Sequence, residues 1–172
     1  MTQKIAVISD THNNQKLFRS GLQQEAKLDY IFHLGDYYSD LDENIDLLHN
    51  RRLVKVPGIF HPGYQDQSLQ RTKSIELEGW KFLLVHDIND SIAERADHDL
   101  ILYGHTHHAA FYQKNSKYYL NPGHLKNLSD RGAEASYCLI TASADALEIV
   151  FKNLQNQIIQ QYNIIRKKLE DK

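Results

Sequence analysis

ILYGHTHH, residues 101–108, carries an apolar run straight into a glycine and then three histidines within four positions. A short run of this kind reads as a buried strand. Nitrogen ligands set down at the carboxyl end of a strand lie where open α/β sheets place their active sites, in the crevice beyond the strand ends. Three further apolar runs end in the same way. IAVIS leads into Asp10-Thr11-His12, YIFHLG into Asp36, and KFLLV into His86. Four such deposits can converge on one place however far apart they stand in the chain.

The segments between these runs define the frame. Residues 5–8 and 30–34 read as strands, separated by a polar stretch whose Leu17, Phe18, Leu22 and Ala26 fall on one helical face. A second helix is predicted over 40–50, from Leu41, Ile45 and Leu48, before a strand at 53–56. That pattern is parallel βαβ. From residue 73 the texture changes to successive strands at 74–77, 82–85, 100–103, 110–114 and 118–120, interrupted by one short helix near 91–96. Glu78-Gly79 and Asn115-Ser116 supply hairpin turns, so the sheet is mixed. Over 146–165 a hairpin is preferred to a long helix, because Ile149 and Val150 are β-branched, Ile158, Tyr162 and Ile164 are set among glutamines, and Gln155-Asn156 can turn. No repeat or linker interrupts the 172 residues, which predicts one α/β domain over 1–172.

Composition removes several functions. Twenty Lys+Arg against 22 Asp+Glu give a formal charge of -2, which argues against nucleic acid or an anionic membrane as the main partner. The basic clusters Arg51-Arg52 with Lys55 and Arg166-Lys167-Lys168 read as solvated surface. The lone Cys138 allows no intramolecular disulfide, no apolar run approaches the roughly 20 residues of a membrane span, and the first residues are too short for a signal peptide. A cytoplasmic protein is expected, with a homo-oligomer left open.

Carboxylates and imidazoles together suit Mn, Fe or Zn, with thiolate-based sites excluded. Asp10 and His12 can address one ion only if the chain curls immediately after Ser9, and Asn13-Asn14 provides a turn and a helix cap. Ten histidines are too many for one site. His33 reads as a core residue, His49 as a helix end and His98 as an exposed turn.

The set SDTH (9–12), GD (35–36), VH (85–86), GHTH (104–107) and NPG (121–123) resembles the calcineurin-like metallophosphoesterases, in particular their small single-domain phosphodiesterase branch. It spans nearly the whole chain in order. The resemblance implies a two-sheet αββα sandwich of mixed strands and a two-metal site. Asp10, His12, Asp36 and His107 would hold one ion, and Asp36, His86 and His105 the other, with Asp36 bridging. It further implies that Arg131, in an RG pair after the NPG segment, faces phosphate. His108 has no counterpart, and His124 stands where the family has serine. Asp87 and Asp97 are the candidates for holding the outer ring nitrogens of the ligand histidines.

One departure matters. The family has GN after the third strand, and the asparagine oxygen completes the second ion's shell; here Gly58 is followed by Ile59, which has no lone pair. His61, on a loop stiffened by Pro57 and Pro62, is the candidate substitute ligand or proton donor. The expected function is hydrolysis of a phosphodiester or small phosphomonoester by a metal-activated water, with Mn2+ as the first choice of ion. The alternative is an impaired scaffold for protein binding that resembles the small retromer subunit. A nuclease ranks last, since no charged channel is visible.

Overall fold

The computed structural model of the chain describes residues 1–25, 27–90 and 97–166. It opens with β1 (Thr2–Ile8), α1 (Gln15–Gln23), β2 (Tyr30–His33), the short α2 (Asp40–Glu43) and β3 (Arg52–Lys55). The three strands pair in parallel. Ile5 and Val7 turn into the space between two sheets, while Ala6 and Ile8 pack beneath Phe18 and Leu22 of α1. Both faces of β1 are therefore covered, which is why it reads as a continuous apolar run. Asn14 caps α1 by accepting from the Leu17 amide; Ala26, placed by sequence on the same helical face, lies outside the described residues.

A short helix α3 (Pro62–Gln65) leads to β4 (Thr72–Leu77), β5 (Trp80–Val85), β6 (Leu100–Leu102), β7 (Ala110–Lys114) and β8 (Lys117–Asn121), which form a sheet in the order β4-β5-β6-β8-β7. Both predicted hairpin turns form, with Glu78, Gly79, Asn115 and Ser116 all at positive φ. The helix expected at 91–96 falls outside the described residues.

After the small ribbon β9 (Ser129–Asp130) and β10 (Ala133–Glu134), the strands β11 (Ser136–Ser143), β12 (Ala146–Asn153) and β13 (Ile158–Ile165) return to the first sheet, giving the order β13-β12-β11-β1-β2-β3. The final hairpin forms as expected. The two larger sheets face each other across one apolar core, where Phe32 of the first meets Phe82 of the second edge to face at 6.0 Å. The result is a mixed α/β sandwich, with α1 against the outer face of the first sheet.

The helix expected over 40–50 is broken. It stops at Glu43, and Ile45–Leu48 continues only as a 3-10 turn. Asn44, at φ -125°, is the cause: its side chain donates to the Asp40 carbonyl at 2.7 Å and accepts from Arg19 at 2.7 Å. An asparagine that bonds local backbone competes with the helical ladder.

Candidate metal centre

Four loops meet beyond the carboxyl ends of β1, β2, β5 and β6. The chain curls at once after Ser9, as the spacing of Asp10 and His12 requires, with φ of 53° at Asp10 and 47° at His12. Asp36, His105 and His107 also adopt left-handed backbone, at 52°, 67° and 67°. Such conformations cost side-chain-bearing residues roughly 1–2 kcal/mol each and persist only where surroundings fix them. The loops fix one another: the Asp10 amide donates to the Gly35 carbonyl at 3.0 Å, His12 to Asp36 at 3.1 Å, and Gly104 to His86 at 3.0 Å.

The six candidate ligands come together in two groups that share Asp36. Asp10, His12, Asp36 and His107 form one, and Asp36, His86 and His105 the other, with ligand atoms inside each group lying within 4.8 Å of one another. The two oxygens of Asp36 divide between them. Oδ2 lies 3.5 Å from His12 Nε2, and Oδ1 lies 3.3 Å from His86 Nε2. Asp10 is divided differently: Oδ2 accepts from Ser9 at 2.6 Å and from the His105 amide at 2.9 Å, which leaves Oδ1 for the centre.

Hydrogen bonds behind the centre set which ring nitrogens face inward as lone pairs. His86 Nδ1 donates to the Leu34 carbonyl at 2.6 Å, so its Nε2 is an acceptor; this atom is buried without a partner. His107 Nδ1 donates to Asp130 at 2.5 Å, so its Nε2 presents a lone pair 3.2 Å from both Asp10 Oδ1 and His12 Nε2. Asp10 Oδ1 is likewise buried and unpartnered. Lone pairs aimed at one another in a buried site repel unless a cation lies between them or a proton is taken up. The donor set therefore fits divalent ions.

Electrostatics in the ion-free protein follow the same layout. Burial pushes the Asp10 carboxyl up, but His107, His86 and Ser9 outweigh it and hold the group below its ordinary range. Burial pushes His107 down, and Asp10 and Asp130 more than reverse this. The hydrogen bond from His107, aided by Lys126, holds Asp130 at about 2. For His12, burial prevails over the attraction of Asp36 and Asp10, and its pKa is lowered.

Asp130 was not among the residues singled out from sequence, although it immediately precedes Arg131. The two aspartates expected in this supporting role do other things. Asp97 is exposed and pairs with Lys81 at 3.1 Å, while Asp87 accepts from Asn89 in a local turn. The other missed support is Asp40, fully buried, which accepts from His33 at 2.8 Å, from Gln15 at 2.7 Å and from Thr11. His33 is thus a hydrogen-bonded core residue, as read from sequence.

Three glycines allow the loops to approach. A Cβ on Gly58 would overlap Asp36 Oδ1, one on Gly104 would overlap Ser9 Oγ, and one on Gly35 would sit 2.7 Å from His86 Nδ1.

At the rim, Arg131 donates to the His105 carbonyl at 2.8 Å with half its side chain exposed. His61 caps α3, with Nδ1 accepting from the Gly63 amide at 3.0 Å. That bond places the proton of neutral His61 on Nε2, making the ring a donor. His61 is in neither ligand group, but it lines a cleft of about 460 Å³ with His12 and Asp36. His124 is buried, stacked on His107 at 5.4 Å. His108 is exposed and bonds the Thr106 carbonyl. Asn121 donates to the Gly104 carbonyl at 2.8 Å and to Thr106, bracing the GHTH loop.

The chain belongs to the calcineurin-like phosphoesterase superfamily, whose domain model matches residues 3–145. It is 24% identical over 137 residues to Phosphodiesterase MJ0936 of Methanocaldococcus jannaschii, covering 70% of this chain and 82% of that one. Among solved structures it is similar to a conserved uncharacterized protein of Streptococcus pneumoniae TIGR4, predicted to be a phosphoesterase, with TM-score 0.73, 23% identity, and 96% and 99% of the two chains covered. It is also similar to wild-type Vps29 of Entamoeba histolytica complexed with Zn2+, with TM-score 0.66, 23% identity, and 95% and 99% covered. The fold and the family are those expected from the motifs.

Proposed function

We propose that the chain is a metal-dependent phosphoesterase, cleaving a phosphodiester or small phosphomonoester with Mn2+ as its preferred ion. The observation that carries this reading is the division of Asp36 between two groups of inward lone pairs. Asp10, His12, Asp36 and His107 would hold one ion, and Asp36, His86 and His105 the other. When bound, two such ions lower the pKa of a water toward about 7 and neutralise phosphoryl charge. The chain's own residues do the rest. Asp130 and the Leu34 carbonyl accept from Nδ1 of His107 and His86, which makes Nε2 the ligand atom of each ring and aims it. Arg131, bonded to the His105 carbonyl, offers its remaining N–H groups to a phosphoryl oxygen. His61, its proton on Nε2, donates to the ester oxygen that departs rather than filling the shell left open by Ile59. The reading includes one domain over 1–172 and a cytoplasmic setting, the latter resting on Cys138, a buried free thiol.

Ile59 favours a second reading, an impaired scaffold of the same fold, and the likeness to Vps29 supports it. One set of measurements separates the two. Protein loaded with Mn2+ is assayed on a generic diester and monoester beside Asp36→Asn and Ile59→Asn, with bound metal counted by elemental analysis. The phosphoesterase reading expects turnover abolished in Asp36→Asn and a tighter second ion in Ile59→Asn. Inert wild type with every divalent ion tried would hand the case to the scaffold.

A further inference from the structure

The cleft beside the metal centre has an organic wall. Besides His12 and Asp36 it is lined by Tyr38, Phe60 and Pro62, and its lining contains no lysine or arginine and no carboxylate besides Asp36. Phe60 is 74% exposed there and makes no ring contact among the described residues. An apolar ring left in water forgoes the gain that burial would bring. Scattered exposed apolar residues need no explanation, but this one is held at a fixed place.

Pro57 and Pro62 flank its loop, the His61 amide donates to the Gly58 carbonyl at 3.0 Å, and Gly58 is packed against Asp36. Phe60 is therefore tied within two residues to the carboxylate shared by both ligand groups. Tyr38, in the same lining, is pinned: Lys55 Nζ lies 4.0 Å from its ring centroid and donates to its carbonyl, and the His61 ring is 5.3 Å away. A loop backbone and a Tyr38 ring held in this way need less ordering when a ligand arrives, which favours binding.

We propose that Phe60, with Tyr38 in the same cleft, seats a flat aromatic group carried by the ester. The substrates of this site are then phosphate esters bearing an aryl or heteroaromatic ring, in preference to small alkyl phosphates. A cleft of about 460 Å³ has room for a phosphoryl group and one ring system. The inference rests on the phosphoesterase reading, since the phosphoryl end is placed by the metal centre. Phe60 is a specificity residue here, with no role in bond cleavage.

The test uses binding and needs no turnover. Methylphosphonate and phenylphosphonate, whose P–C bonds resist hydrolysis, are titrated calorimetrically into Mn2+-loaded wild type and Phe60→Ala. A ring stacked on Phe60 is expected to make phenylphosphonate bind about tenfold more tightly than methylphosphonate in wild type. In Phe60→Ala that ratio should fall toward one. Phe60 is exposed, so its truncation leaves the core intact, and unchanged thermal unfolding verifies this. A wild-type ratio near one, or a tenfold ratio that survives in Phe60→Ala, overturns the inference while methylphosphonate binding leaves the phosphoesterase reading standing. Failure of both phosphonates to bind overturns the two together.

Discussion

Gly58→Ala is the substitution with the most direct consequence for the centre. The glycine's φ is not in the left-handed region, so the added methyl meets a steric problem alone. A Cβ there overlaps Asp36 Oδ1 and lies 2.5 Å from the Asp36 backbone nitrogen, where ordinary contact begins at 3.4 Å. The backbone of Asp36 must therefore retreat by about 0.9 Å, beyond the ~0.5 Å within which a binding constellation has to be held. It cannot do so freely, because the Asp36 carbonyl accepts from the His12 amide and from Thr11 Oγ1. Overpacking of this kind costs about 1–3 kcal/mol. For a chain of this length that lowers Tm by roughly 2–12 °C.

Destabilisation alone would say little about the centre, so a control is needed. Gly132, at φ +80° with nothing within 4 Å of its would-be Cβ, is strained by alanine through backbone conformation only, at roughly 1–2 kcal/mol. Both variants should unfold earlier in a thermal scan. Elemental analysis after equilibration with Mn2+ should separate them, because only Gly58→Ala moves the carboxylate common to both ligand groups. Retention of both ions by Gly58→Ala with wild-type affinity would refute the bridging role assigned to Asp36.

Two other substitutions probe the supports behind the ligands. Asp130→Asn removes the charged acceptor of His107 Nδ1 and is expected to weaken the Asp10-side ion by about 10–100-fold in a competition titration, with the His86-side ion little affected; equal weakening at both sites would argue against it. His33→Leu leaves Asp40 buried without its imidazole partner, at a cost of about 3–5 kcal/mol, which scales to a fall in Tm of roughly 6–20 °C. An unchanged melting curve would mean that Thr11 and Gln15 suffice to satisfy Asp40.

What the sequence revealed and what it hid follow from how far each feature depends on neighbours. β1, β2, β5 and β6 are buried on both faces, so they stand out as apolar runs, and their carboxyl ends fall where the chain reports Asp10, Asp36, His86 and His105. The β11 run, by contrast, is absent from the strands expected by sequence, since its antiparallel pairing with β1 depends on a partner more than a hundred residues away. Asp130 stayed hidden because it sits in a two-residue ribbon with no periodicity to find. Asn44 was read as one position in a helix, when its bonds to Arg19 and Asp40 break that helix. The donor role proposed for His61 turns on a single bond from the Gly63 amide, which residue spacing does not encode.

Backbone strain bears on the choice between enzyme and scaffold. Five of the six candidate ligands hold left-handed φ, and several kilocalories of conformational cost are concentrated in loops that meet at one point. A surface for protein binding gains nothing from that cost, since contacts outside the cleft do not depend on where Asp10 Oδ1 or His86 Nε2 points. The same loops also bury those two atoms without partners, a second cost that no packing contact returns. A bound cation offsets both at once, because it satisfies the lone pairs and needs the ligands converged. If the strain instead served only to shape the outer surface, replacing His86 and His107 together by leucine would stabilise the ion-free fold and leave its other properties intact. A cation-binding role expects that variant to lose all response of Tm to added Mn2+, while wild type at saturating ion gains about 2.7 kcal/mol at a hundredfold excess over Kd.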